Sequence, residues 1–145
     1  MSTDRQTRQL VVFSLGEEEY ALPIQQVHEI IRFSEPRSVA SRVDWVRGVI
    51  SLRGKIVPVH DLAMRLGVAG RGSDESAKIV IVETEAAMAG VIVDDVEEVV
   101  TVDTEQLEAA PTSGGEAVEA IAKLGDRLVV LLDPAALFAD ELAEA

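Results

Sequence analysis

The chain has 145 residues, no cysteine and 48% apolar residues, and its 13 Lys+Arg against 26 Asp+Glu give a formal net charge of −13. That length is one ordinary domain, and the apolar share excludes a disordered chain. The charge argues against a general nucleic-acid binder, and the missing cysteines exclude disulfides, thiolate metal sites and cysteine nucleophiles.

Met1–Thr7 (MSTDRQT) lacks an apolar stretch, so it reads as a flexible N-terminal segment rather than a signal peptide. Gln9–Leu15 (QLVVFSL) is a short apolar run, followed by a turn at Gly16-Glu17. Glu19–Ile24 alternates polar and apolar, so the two runs predict a hairpin. Pro23 belongs at an edge or exit of its strand, because proline cannot donate to a ladder. Val27–Phe33 mixes a helical spacing (Val27, Ile30, Ile31) with β-branched content and is read as a short turn leading into a strand. Val49–Leu52 and Lys55–Val59 form a second hairpin joined at Arg53-Gly54. Gly48 interrupts an apolar run and predicts a bulge or a close backbone approach. Asp61 is a cap for a helical turn, Leu62–Leu66, which Gly67 stops.

The second half begins with a small-polar loop, Ala69–Ser76. Lys78–Glu83 and Ala89–Asp94 read as another hairpin, and Val96–Val102 as a strand. Leu107–Glu116 reads as a loop or short helix, and Ala117–Leu124 fits both periods. Arg127–Leu132 is a strand, and Asp133-Pro134 opens a C-terminal helix, Ala135–Glu141. About nine short strands with only small helical pieces exclude a βαβ fold and favour a barrel or sandwich. The longest apolar runs, such as Leu128–Leu132, fall far short of the roughly 20 residues of a membrane helix.

Charge is uneven along the chain. Residues 1–72 carry ten basic and eight acidic residues, whereas residues 73–145 carry three basic and eighteen acidic. Two faces of opposite character, or an ordinary solvated surface, both fit that split. The catalytic inventory is thin. His60 and Asp61 are neighbours on a strand, so their side chains diverge, and His28 and His60 both read as half-exposed. Asp94-Asp95 and Glu97-Glu98 read as a solvated acidic strand edge that discourages pairing, not as a cation site. No phosphate loop and no Gly-x-Ser-x-Gly elbow is present. A binding module is the reading that remains.

The string Val46–Leu62 resembles the CheW family of chemotaxis adaptors: the Gly48-Val49 pair, the Leu52-Arg53-Gly54 turn and the Pro58-Val59-His60-Asp61-Leu62 strand end. The resemblance extends upstream to Tyr20–Ile24 and Val27–Ile31, and downstream to Ala89–Asp94, Val96–Val102 and Leu124–Leu132, covering roughly Arg8 to Leu142. It implies an all-β fold: one CheW-like domain, residues 8–142, of two intertwined five-stranded SH3-like β-barrel subdomains with short helical pieces and a C-terminal helix. It implies a non-enzymatic scaffold, without cofactor or metal, that couples transmembrane chemoreceptors (methyl-accepting chemotaxis proteins) to a CheA-type histidine kinase. The implied partners are the kinase's regulatory domain and the cytoplasmic tips of the receptors, with no nucleic acid and no direct membrane insertion. The implied state is monomeric alone, assembling into rings or arrays with partners, and cytoplasmic at the inner face of the membrane.

Carried over position by position, the receptor-facing residues are Val27 and Glu29 of the Val-x-Glu-Ile block, Gly48 and Arg53. Val27, Ile30, Val49 and Ile50 would line an apolar groove for a receptor helix, and Gly48 would let a helix backbone come close. Arg53 would cap the groove by pairing with a carboxylate, or would instead pin the two barrels together. Ser51 stands where many members have Asn, and Val43 where many have proline. Two alternatives are an adaptor of a pilus or other chemosensory pathway and, from a different class, a small-molecule-binding β-barrel using His60 and Asp61.

Overall fold

The computed structural model of the protein describes residues 6–40, 44–70, 76–85, 87–109 and 117–138. The described residues form eleven strands: β1 (Thr7–Leu15), β2 (Glu18–Pro23), β3 (Val27–Arg32), β4 (Val46–Leu52), β5 (Lys55–Asp61), β6 (Lys78–Glu83), β7 (Met88–Val93), β8 (Asp95–Asp103), β9 (Leu107–Ala109), β10 (Val118–Leu124) and β11 (Arg127–Leu132). Two short helices complete them, α1 (Leu62–Leu66) and α2 (Pro134–Leu137). The strands make two sheets, ordered β8-β1-β2-β11-β10-β9 and β3-β6-β7-β5-β4. The chain begins in the first sheet, builds the second, then returns, so the fold is all-β with two interlocked halves. Each sheet contains one parallel pair, β2–β11 and β5–β7; the other pairs are antiparallel.

The three predicted hairpins are present as β1–β2, β4–β5 and β6–β7. The β4–β5 turn places Arg53 at φ 52° and Gly54 at φ 86°, so two successive residues occupy the left-handed region and the turn follows the twist of its strands. Pro23 ends β2 at its exit, and a single 3-10 turn, Ile24–Gln26, precedes β3. Asp61 accepts a hydrogen bond from the Met64 amide (3.0 Å) and Gly67, at φ 73°, closes α1.

Three expectations are corrected. Leu107–Ala109, expected as loop or helix, is strand β9, which makes the first sheet six-stranded rather than five; residues 110–116 lie outside the described residues. Ala117–Leu124 resolves as a strand because β10 is paired on both sides, by β9 and β11. The C-terminal helix is capped by Asp133 and Pro134 as predicted, but Phe138 already leaves helical geometry; residues 139–141 of the expected helix lie outside the described residues. Among the described residues the strand count is therefore eleven, against about nine expected. Thr7, at the end of the segment read as flexible, already pairs with Asp103 in the sheet.

The main core lies between the sheets. Phe13, Leu15, Tyr20 and Leu22 from one meet Leu62, Val80, Val82, Val91 and Val93 from the other, with Leu132, Leu137 and Phe138 closing one side. Smaller clusters sit within each sheet, around Leu10, Val12 and Leu131 in the first and around Val57, Val59 and Ile79 in the second. Gly90 is obligatory here: a Cβ would lie 2.8 Å from Ile79. Asp94 joins the halves. Its amide donates to the Ser14 carbonyl (2.9 Å), and its buried carboxylate accepts from the Gly16 amide (2.6 Å). It is not part of a solvated acidic edge; Asp95 beside it lies 3.7 Å from Lys78.

Candidate functional site

The five-stranded sheet has two edges, β3 and β4, and the predicted site residues lie along them. Glu29 stands on β3. Arg53 stands in the β4–β5 turn, 24 residues away. The structure brings them into a two-pronged contact, Nη1 to Oε1 at 2.5 Å and Nη2 to Oε2 at 2.9 Å. A planar guanidinium matches a carboxylate in this way, and an ammonium could not. The Arg53 hydrogen bonds hold the Glu29 carboxyl below its ordinary 4.5, and the same contact raises the arginine. Both partners remain in reach of water, with the arginine side chain 68% exposed. The pair joins two places on one sheet. It does not pin the two halves together, which corrects that expectation; the carboxylate Arg53 meets here is the chain's own Glu29.

His28 stands at the same corner, its ring nitrogens 3.9 Å from Glu29 and 3.6 Å from Glu83. Beside it, Ile30 is 40% exposed. The other apolar candidates are less available. Val27 packs against the main core and Ile50 against the cluster within the second sheet. Val49 is half-buried, and its backbone exchanges hydrogen bonds with Arg37 at 2.8 and 2.9 Å. Among the described members of the predicted groove, Ile30 is thus the side chain most open to a partner.

Gly48 is corrected in its role. It sits at a bulge in β4 with φ 154°, and a Cβ there would lie 2.1 Å from the Arg37 carbonyl oxygen. The close backbone approach predicted for it is made by the chain's own segment around Arg37, not left open for a helix. Arg47, next in line, bonds Glu35 at 2.8 Å and approaches Asp61 at 3.7 Å, fastening the same segment.

The alternative site loses its footing here. His60 is buried at 1% exposure, not half-exposed, and its ring meets Phe138 edge-on with centroids 5.0 Å apart. Asp61 caps α1. Both residues are engaged in the fold. Sequence reasoning missed the exposed aliphatic side chains Ile56 (68%), Leu128 (62%) and Val99 (52%). Strand alternation carries the signal for them: each is flanked by residues of the opposite burial or sits beside polar neighbours.

What the site offers is recognition: a fixed ion pair, an adjacent histidine and one open aliphatic side chain at a sheet edge. The comparisons agree with such a module. The CheW-like domain model matches residues 9–142. The chain is 31% identical to the chemotaxis protein CheW of Klebsiella aerogenes, over 92% of this chain and 83% of that one. A crystal structure of the scaffolding protein TtCheW from Thermoanaerobacter tengcongensis superposes with a TM-score of 0.84 at 39% identity, covering 92% of this chain and 93% of that one. A shorter similarity, 29% identity over 58% of this chain and 47% of the other, links it to the protein PilI of Pseudomonas aeruginosa. With this fold and a match over nearly its full length, the chain belongs to the CheW-like domain family.

Proposed function

We propose that the protein is a scaffold of chemotaxis signalling that couples transmembrane chemoreceptors to a CheA-type histidine kinase and catalyses nothing itself. The observation that carries the reading is the match of residues 9–142 to the CheW-like domain together with full-length similarity to proteins named for chemotaxis and scaffolding. Residues 8–142 act as the single functional domain. Of the expected receptor residues, Ile30 and the Glu29–Arg53 pair meet the receptor, while Val27 packs under them and Gly48 and Val49 hold the edge strand in place. Work at the cytoplasmic tips of receptors fits a chain in which no described helix is long and apolar enough to cross a membrane.

The direct test immobilises a receptor cytoplasmic fragment and asks whether purified kinase is retained. The expected result is kinase retention that requires the wild-type chain and drops when Arg53→Ala replaces it. Retention independent of the chain would refute the reading. A second reading, the same role in a pilus-linked chemosensory pathway, is favoured only by the partial similarity to PilI. Receptor fragments from the two pathways, offered in competition, separate the two.

A further inference from the structure

The charge also divides along the two sheets. Residues 24–94, which hold the five-stranded sheet, carry nine basic and nine acidic residues. Residues 1–23 and 95–145, which hold the six-stranded sheet, carry four basic against seventeen acidic. The whole net charge of −13 belongs to the second group.

The face of that sheet that meets the main core stays apolar out to an exposed end at Leu128. On β10 and β11 the inward side chains Ala120, Ala122, Val129 and Leu131 are buried. Their neighbours on the opposite face are Ile121, Leu128 and Val130, of which Val130 packs against the main core. Ile121 lies directly opposite Val130 in the β10–β11 register, and Leu128 is 62% exposed. A strand apolar on both sides is the pattern of a strand covered on both sides. The three aliphatic side chains floor a hollow of about 430 Å³, and its wall is Glu17, Glu18 and Glu19 of the β1–β2 turn. A volume of that order takes one or two side chains. Among the described residues none that lines it is basic, but Glu19 is already held by Arg127 at 3.0 and 2.9 Å and Glu18 accepts from the Tyr20 hydroxyl at 2.8 Å, so Glu17 is the wall residue available for recognition.

We propose that this hollow docks a segment of a partner protein in which an aliphatic side chain is flanked by Lys or Arg. The aliphatic floor supplies burial, and Glu17 with the surrounding acidic charge selects the basic flanks. A second copy of the chain would bring −13 against −13 and does not fit. Nor do residues 139–145, which hold Asp140, Glu141 and Glu144 and no basic residue. The hollow lies on the other sheet from Glu29 and Arg53, so the proposal stands independently of the receptor contacts.

The test selects a random-peptide phage library on the full chain and compares binding to wild type, Leu128→Lys and Glu17→Lys. Enriched peptides are expected to place Leu, Ile or Val beside Lys or Arg, and to bind wild type at least about tenfold tighter than Leu128→Lys. The Glu17→Lys defect should fade at high salt, whereas the Leu128→Lys defect should persist. Circular dichroism is expected to show unchanged melting for both variants, since both side chains lie outside the core. No enrichment, enrichment of acidic or purely polar peptides, or equal binding to wild type and Leu128→Lys would overturn the proposal. None of these outcomes depends on the kinase or the receptors.

Discussion

At the scale of single residues, the Glu29–Arg53 contact, proposed above to meet the receptor, has little to contribute to folding. Both side chains reach water, where such pairs are screened and weak. Because the folded-state carboxyl titrates below its ordinary 4.5, the contact is present above that pH and is lost as pH falls through the lowered value. Carbon-detected NMR titration should place the Glu29 carboxyl below 4.5 in the wild-type chain and back near 4.5 in Arg53→Ala, with the thermal midpoint almost unmoved. A large drop in melting temperature would instead make Arg53 structural. Gly48 is the opposite case. Gly48→Ala forces a Cβ into the Arg37 carbonyl at a positive φ, so it should cost about 1–3 kcal/mol in urea unfolding, before any partner is added. The string around Arg53 was legible because its residue order matches a family. The partner of Arg53 was not, since pairing between β3 and a turn 24 residues on depends on the sheet closing. The burial of His60 and Asp94 escaped for the same reason: each is buried by an element distant in sequence.

At the scale of elements, the hairpins were readable because alternation and turn residues are local. β9 was not, since three residues flanked by Gly, Pro and Ser become a strand only when β10 offers an edge. β10 was ambiguous because Ala120 and Ala122, its inward residues, are small and score for either period. The main core joins the two sheets, and Asp94 adds a polar tie between them. Asp94→Ala strands the Gly16 amide and should lower stability by about 1–3 kcal/mol, with Asp94→Asn losing less, measured by urea unfolding. Phe138 covers His60 and closes the main core after α2. Phe138→Ala should cost about 3–5 kcal/mol, and a near-neutral result would show that the C-terminal element is not docked as described.

At the scale of the whole molecule, the net charge of −13 turns out to describe half the fold. Splitting the sequence in the middle does not follow the sheets, because strands from the far end of the chain return to pair with β1 and β2. A neutral sheet unit carrying the Glu29–Arg53 corner and an acidic one carrying the hollow at Leu128 suit a scaffold that holds two different proteins at once. The measurement that bears most directly on this is kinase autophosphorylation in membranes reconstituted with receptor, kinase and the chain. The account predicts that receptor control of the kinase appears only when the chain is added and fails with Arg53→Ala. Full receptor control without the chain, or none with it, would contradict the account.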